Sequence, residues 1–217
     1  MDVIPLDIAK IKAIVFDLDN TLVSSNLDFQ WLRAQVGCPR DVDLLTFIDK
    51  LGCSHSALRA KQLELVLQHE LDDAEHSTPM PGCLALLDFI AFNHLHTAII
   101  TRNCQQASQR KVDHNQLNIS RIISREQFPP KPAPDSLLAL AREWQLPPEQ
   151  ILYVGDYMYD LQAASNARMP SCLVTHGKPT TFNQHASLSV DHLHDLLDLF
   201  LDKYLQTVET ISSATKK

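Results

Sequence analysis

Short apolar segments and longer segments with helical spacing alternate along most of this 217-residue chain. Each apolar segment ends at a polar residue, which is typical of strands buried on both faces of a parallel sheet. The alternation predicts an α/β sandwich with right-handed crossovers. The predicted strands cover residues 13–16, 97–100, 122–123, 151–154 and 172–174, and the predicted helices cover residues 84–92, 104–115, 134–144 and 157–167.

One segment breaks this alternation, because residues 24–77 contain no convincing strand pattern and carry three successive helical stripes. Turn or helix-stop signals at residues 37–39 and 52–54 separate the stripes. We therefore predict a small all-helical domain inserted after the first strand of the core. The predicted boundaries are 1–23 and 79–206 for the core, 24–78 for the insertion, and 207–217 for a polar tail.

Composition narrows the possible partners. The net charge of −7 and the pI of about 5.7 argue against a broad nucleic-acid surface, which needs clustered Lys and Arg. The five cysteines form no C-x-x-C motif, which favours reduced thiols and a cytoplasmic protein over a disulfide framework. We expect neither a signal peptide nor a membrane span, since no apolar run reaches the required ~18 residues.

Asp17 and Asp19 follow the first predicted strand directly. Side chains at i and i+2 leave a strand on the same side, so both carboxylates would face one pocket. At ~4 Å and an effective dielectric near 20 they repel by roughly 4 kcal/mol, which calls for a cation or a shared proton. One carboxylate could then attack phosphorus while the other exchanges protons with the leaving group and water. An isolated D-x-D is more often a turn or a helix cap, and companion sites reverse that preference.

Two of the companion sites would bind phosphate. Thr101 ends a predicted strand and is followed by Arg102 and Asn103, at the start of a predicted helix whose N-terminus favours anions. Lys131 lies between prolines, which hold the loop extended and its ammonium in place. Taken singly, these residues are more simply interpreted as a strand end and a solvated lysine.

The remaining companion site is acidic. Asp156 follows another apolar strand, and Asp160 lies about one helical turn further on. Together with Asp17 they would form an oxygen-rich cluster, and Mg²⁺ prefers a few carboxylates, waters and a substrate phosphate. The alternative for this pair is a helix N-cap and an exposed helical acid.

With these four sites in order, the chain resembles the haloacid dehalogenase superfamily, most of whose members are phosphatases. The resemblance covers residues 11–201 and points to the phosphoglycolate-phosphatase-like branch, with a Rossmann-like core and a helical cap. It implies a Mg²⁺-dependent enzyme acting on a small phosphorylated metabolite. The matching motifs are Asp17-Leu18-Asp19-Asn20-Thr21, Thr101, Lys131 in a K-P-x-P setting, and Gly155-Asp156-x-x-x-Asp160.

The resemblance also implies a role for each motif residue. Asp17 would be the nucleophile and a metal ligand, and Asp19 the general acid/base with its backbone carbonyl on the metal. Thr101 and Lys131 would hold the phosphoryl group, Asp156 would bind the metal, and Asp160 would support the site directly or through water. Asn20 stands where glycine is common in the family.

Several alternatives remain beside a phosphatase. Dehalogenases of the superfamily typically replace the second aspartate, so Asp19 favours phosphoryl chemistry. A phosphonatase would need a cap lysine, and the candidates Lys50 and Lys61 have the pattern of surface residues. A phosphomutase uses the same residues and stays open, as does a non-enzymatic module that responds to phosphate.

Overall fold

In the computed structural model, residues 1–52 and 55–214 are described. Six strands form one parallel sheet in the order β3-β2-β1-β4-β5-β6. The predicted α/β fold is confirmed. The strands are β1 (Ala13–Phe16), β2 (His96–Ile100), β3 (Ile122–Ile123), β4 (Ile151–Gly155), β5 (Ser171–Val174) and β6 (Leu188–Val190).

The predicted helices are also present, and the ends of the four predicted core helices lie within one residue of the prediction. The last helix, Leu193–Ala214, was not predicted. The cap helices are α1 (Phe29–Val36), α2 (Leu44–Asp49) and α3 (Ser56–His76), and the core helices are α4 (Cys83–Phe92), α5 (Gln105–His114), α6 (Asp135–Trp144), α7 (Met158–Asn166) and α8 (Leu193–Ala214).

The sheet is covered on both faces, because the residues of each central strand alternate between two apolar clusters. In β1, Ile14 and Phe16 pack into the cluster that includes α4 and α8, and Ala13 and Val15 pack into the cluster that includes α6 and α7. All four are fully buried. This two-sided burial explains why the strands are uninterrupted apolar runs.

Strand β6 was absent from the sequence prediction. It pairs in parallel with β5 at the edge of the sheet. Only Val190 of its three residues is buried. Its residues Leu188-Ser189-Val190 alternate between apolar and polar, but three residues are too few to separate a strand from a loop.

The helices α1–α3, which we call the cap, pack around a third apolar cluster that includes Leu32, Ile48 and Val66. Asp28 and Asp43 begin α1 and α2, each accepting a hydrogen bond from a backbone N–H of the first turn, at 2.8 and 3.0 Å. The residues described within 24–77 contain no strand. The boundaries of the insertion at residues 24 and 78 stay a prediction.

The chain leaves the core for the cap and returns to it at neighbouring points. The backbone N–H of Ser24 donates to the carbonyl of Thr78 at 2.8 Å, and the N–H of Thr78 donates to the Ser24 hydroxyl at 3.0 Å. Val23 also forms an antiparallel bridge with Pro79. The two crossing segments are therefore bonded to each other at the edge of the core.

The last helix, α8, continues to Ala214 and so includes most of the segment predicted as a polar tail, residues 207–217. Residues 215–217 lie outside the described part of the chain. Among the described residues, no helix is both long enough and apolar enough to cross a membrane.

Candidate active site

The candidate site lies where the strand order changes direction. β1 is flanked by β2 and β4, so their carboxyl ends meet at one edge of the sheet. Phe16 is level with Ile99 and with Val154, and the Asp17 N–H donates to the Val154 carbonyl at 2.8 Å. Ligands of open α/β sheets bind in the crevice at this point.

Asp17 and Asp19 are held by a tight turn after β1. Asn20 adopts a left-handed conformation with φ 55°, which asparagine tolerates better than most residues. Its N–H donates to the Val23 carbonyl at 2.7 Å, and its side-chain oxygen accepts from the Ser25 N–H at 3.2 Å. Asn20 therefore provides the left-handed backbone conformation that this turn requires.

Lys131 lies between two carboxylates of the site. Its ammonium donates to Asp17 at 2.5 Å and to Asp160 at 2.7 Å. Burial alone would lower the pKa of Lys131, but the carboxylates of Asp160 and Asp17 outweigh it and hold that pKa well above its ordinary value. The lysine is thus a buried, permanently charged cation beside Asp17.

Asp160 is buried at the start of α7 with both oxygens occupied. One accepts from Lys131 and from the Tyr153 hydroxyl at 3.2 Å, and the other accepts from the Tyr157 N–H at 3.1 Å. A Cβ added to Gly155 would lie 2.3 Å from the Asp160 Cγ, so only glycine permits this approach. Asp160 is therefore not the exposed helical acid of the simpler interpretation.

The acidic groups of the site disfavour their own charged forms. Burial raises the pKa of Asp17 well above its ordinary value; Lys131 opposes this, while Asp160, Asp156 and Asp19 add to it. Burial, followed by the charge of Asp160, raises the pKa of Asp156 from 3.8 to about 7. The single positive charge of Lys131 does not compensate the negative charges of Asp17, Asp156 and Asp160.

A divalent cation fits this donor set. Oxygens of Asp17, Asp156 and Asp160 lie within 4.8 Å of one another. Carboxylates are hard oxygen donors of the kind Mg²⁺ takes, and a positive ion would offset the excess negative charge. Because both oxygens of Asp160 already accept hydrogen bonds, Asp17 and Asp156 are the better direct ligands.

Thr101 and Asn103 continue the site from the end of β2. Thr101 is buried, and its hydroxyl accepts from the Asn103 N–H at 3.1 Å. The Asn103 side-chain amide donates to Asp19 at 2.8 Å. These contacts place both residues beside the aspartates.

Arg102 extends towards the cap. Its guanidinium forms an ion pair with Asp43 at the start of α2 and lies 5.1 Å from the centre of the Tyr159 ring. Arg102 therefore joins the cap to the core in this structure, and phosphate binding by Arg102 stays a prediction.

All eight predicted site residues line one cavity of about 510 Å³ between the core and the cap. The cap contributes Phe29, Arg40 and Leu45, and Tyr157 and Tyr159 form another part of the wall. The two tyrosines thus border the cavity and do not pack beneath the helix. Most of the lining residues are charged or polar, and the aliphatic ones come from the cap.

Sequence reasoning missed Lys111. This fully buried lysine of α5 forms ion pairs with Asp19 and with Asp73 of the cap. Burial would lower the pKa of Lys111, but Asp19 and Asp73 more than compensate and raise it. The one available signal was its position on the same helical face as Ala107 and Ser108, which are buried.

Comparison with known proteins identifies the family. The model of the haloacid dehalogenase-like hydrolases matches residues 14–174. The chain belongs to that family. The resemblance drawn from the four motifs is confirmed, and so is the expectation of a hydrolase.

Among the relatives of this haloacid dehalogenase-like hydrolase is an uncharacterized hydrolase of Saccharomyces cerevisiae, 27% identical, with 95% of this chain and 94% of the relative covered. A phosphoglycolate phosphatase of Thiobacillus denitrificans is 28% identical over 77% of this chain and 84% of its own length. The crystal structure of a hydrolase from Pseudomonas syringae matches with a TM-score of 0.70 and 21% identity, covering 88% of this chain and 98% of that one. This structural likeness supports the fold.

Proposed function

We propose that the protein is a Mg²⁺-dependent phosphatase that hydrolyses a small phosphomonoester through a phosphorylated Asp17. The observation that carries the proposal is the position of Asp17 at the end of β1, with Lys131 at 2.5 Å and the carboxylates of Asp156 and Asp160 beside it. A second carboxylate, Asp19, lines the same cavity. This combination provides a nucleophile, positive charge for a phosphoryl group, and a separate acid/base.

In the first step, a carboxylate oxygen of Asp17 forms a bond to phosphorus while the bond from phosphorus to the ester oxygen breaks. Asp19, entering this step protonated, gives its proton to the departing oxygen, so the product leaves as an alcohol. Lys131 and the hydroxyl of Thr101 would bind the phosphoryl oxygens as charge accumulates on them.

In the second step, water attacks phosphorus and Asp19 takes its proton, releasing inorganic phosphate and restoring Asp17. Asp17 and Asp156 would hold Mg²⁺, which supplies charge neutralisation for the dianion approached by a carboxylate. The buried ammonium of Lys131 acts in the same direction from the other side of Asp17.

The cavity supports a small substrate. Its volume of about 510 Å³ is within the range of roughly 300–1,000 Å³ that is common for small-molecule sites. The phosphoglycolate phosphatase among the relatives supports a phosphorylated metabolite of this size. The cap residues that line the cavity are the part of the wall that would select among such metabolites.

Steady-state hydrolysis tests the proposal directly. The purified protein is assayed with Mg²⁺ on p-nitrophenyl phosphate, phosphoglycolate and a panel of sugar phosphates, beside Asp17→Asn and the surface control Asp88→Asn. We expect at least one phosphomonoester to be hydrolysed. Asp17→Asn should lower kcat by at least about a thousandfold, because the amide cannot attack phosphorus. Asp88 is exposed on α4, so its variant should keep full activity.

Three results would contradict this function. Hydrolysis by Asp17→Asn above a few per cent of the wild type would exclude covalent catalysis by Asp17. Full activity in excess chelator would exclude the metal. Transfer of the phosphoryl group to a second metabolite without release of phosphate would indicate a phosphomutase.

A further inference from the structure

Lys111 is a buried cation beside Asp19 that the proposed mechanism has not used. Its side chain is 0% exposed, and the ammonium contacts one oxygen of Asp19 and, at 2.5 Å, the carboxylate of Asp73. Burying a charged group costs several kcal/mol, and two neighbouring carboxylates can roughly offset that penalty for a lysine. Specific contacts with these two carboxylates, and not solvation by water, therefore stabilise the buried charge of Lys111.

The carboxylate of Asp19 is held at both oxygens. Lys111 donates to Oδ1, and the side-chain amide of Asn103 donates to Oδ2 at 2.8 Å. Both partners are donors, so each oxygen of Asp19 has its own donor and the side chain is held in one orientation. Asp19 therefore lines the cavity in a fixed position.

Asp73 provides the second negative charge for Lys111, and it is itself anchored. It accepts from the Ser25 hydroxyl at 2.8 Å and from the Asn26 N–H at 2.6 Å. These residues lie where the chain enters the cap, so the position of Lys111 is fixed from the cap side. The ammonium of Lys111 is therefore held between Asp19 of the core and an anchored Asp73 of the cap.

Other ion pairs join the same helices without reaching the site. Arg110, next to Lys111 on α5, pairs with Glu75 of α3 at 3.1 Å, and both side chains are about half exposed. A purely structural role in holding the cap would be shared by Arg110 and Lys111. Only Lys111 of these two touches Asp19, and this difference separates attachment of the cap from a role in the reaction.

We infer that Lys111 is a positioning residue for the second half of the reaction, holding Asp19 as the base that takes a proton from the attacking water. The inference rests on the proposed phosphatase function. The bond that forms joins the water oxygen to phosphorus, and the bond that breaks joins phosphorus to Asp17. The proton of the water goes to Asp19, whose side chain Lys111 holds in position for the transfer.

A substrate with a good leaving group isolates this step. p-Nitrophenolate needs no proton to depart, so transfer to Asp17 does not depend on Asp19 as an acid. The value of kcat/KM reports steps through that transfer, while kcat also includes cleavage of the phosphorylated enzyme. Loss of Lys111 should therefore change kcat and KM together.

The experiment compares the wild type, Lys111→Met and the matched control Arg110→Met on p-nitrophenyl phosphate with Mg²⁺. We expect Lys111→Met to lower kcat and KM by a similar factor of at least about tenfold, with kcat/KM within about threefold, since a misplaced base costs part of a roughly 10²–10⁴-fold effect. Acid-quenched samples should contain a larger phosphorylated fraction by intact mass. Arg110→Met should match the wild type in all three quantities.

A double variant tests whether Lys111 acts through Asp19. In an Asp19→Asn background, Lys111→Met should cause no further accumulation of phosphorylated enzyme. Equal losses of kcat and kcat/KM at unchanged KM, without accumulation, would show a merely structural role and overturn the inference. A further effect of Lys111→Met in the Asp19→Asn background would overturn it as well.

A second pair of variants tests the role of Lys111 if the single variant does not fold. If Lys111→Met alone does not fold, the double variant Lys111→Met/Asp73→Asn is compared with the single variant Asp73→Asn. In both of these proteins the buried carboxylate of Asp73 has been replaced by a neutral amide. The same split between kcat and kcat/KM is expected, and its absence overturns the inference. Failure of the wild type to hydrolyse any phosphomonoester would refute the proposed function. If the wild type is active but Lys111→Met does not lower kcat and KM together, only the role of Lys111 is refuted.

Discussion

Neutralising Asp156 should stabilise the metal-free protein at high pH and leave its stability at low pH nearly unchanged. The perturbation is Asp156→Asn, which retains the shape of the side chain and removes its charge. Burial and the neighbouring charge of Asp160 raise the pKa of Asp156 from 3.8 to about 7. Between these values the folded protein binds more protons at this site than the unfolded chain does, so its stability falls as pH rises.

The magnitude follows from the width of that window. Each pH unit between the two pKa values is worth about 1.4 kcal/mol, so roughly 4 kcal/mol of stability is lost by pH 8. For a chain of this size 1 kcal/mol corresponds to about 2–4 °C in Tm, which gives a difference of about 10 °C between wild type and variant at pH 8. At pH 5 roughly 1.6 kcal/mol is already lost, because this pH lies above the unfolded pKa of 3.8, so the difference there should be about 4 °C.

Thermal unfolding in chelator at pH 5 and pH 8 measures this effect. His176 titrates in the opposite direction, because burial lowers its pKa and its stability contribution is lost as pH falls. Taking the difference between wild type and Asp156→Asn removes the contribution of His176, which both proteins share. The surface variant Asp88→Asn should follow the wild type at both pH values.

Mg²⁺ provides a second arm of the same experiment. At pH 8 the ion should raise the Tm of the wild type, because it binds the ionised Asp156 of the folded state and offsets its charge. It should raise the Tm of Asp156→Asn much less. A Tm difference between the two proteins that is equal at pH 5 and pH 8 would refute the assignment of an uncompensated charge to Asp156.

Four further substitutions test packing around the site and the core. Gly155→Ala should lower kcat by at least about tenfold by displacing Asp160, whose Cγ would lie 2.3 Å from the new Cβ; assays of kcat beside circular dichroism check this. Gly82→Ala should lower the free energy of unfolding in urea by more than about 2 kcal/mol, since φ is 84° and the Cβ would lie 2.2 Å from the backbone of α8. Gly177→Ala is the matched control, because φ is 67° but the Cβ would enter open space, and it should lower the free energy of unfolding by about 1 kcal/mol. Leu86→Ala, at a fully buried position of α4, should cost roughly 3 kcal/mol in the same measurement.

The sequence contained the information for the sheet and for the motif residues, because both depend on local order. A strand buried on both faces must be apolar, and the residue after it falls at the carboxyl edge of the sheet, so Asp17 and Asp156 could be placed together before the structure was known.

The contacts that the sequence did not predict depend on distant partners. Lys111 has an ordinary helical neighbourhood, and it becomes a buried cation only when the cap brings Asp73 against α5. The ion pair between Arg102 and Asp43 could not be predicted for the same reason, because it depends on where α2 lies relative to the core. The sequence analysis missed β6 because its alternating pattern, Leu188-Ser189-Val190, is only three residues long.

The paired crossing points at Ser24 and Thr78 make the cap an exchangeable module. Because these two residues are hydrogen-bonded to each other, a short connection at this position could replace the whole insertion without separating the strands of the core. The cap also carries its own apolar cluster, so its packing can vary independently of the sheet. Substrate preference could therefore diversify in evolution, or be engineered by transplanting a cap that keeps a carboxylate at the position of Asp73 to pair with Lys111.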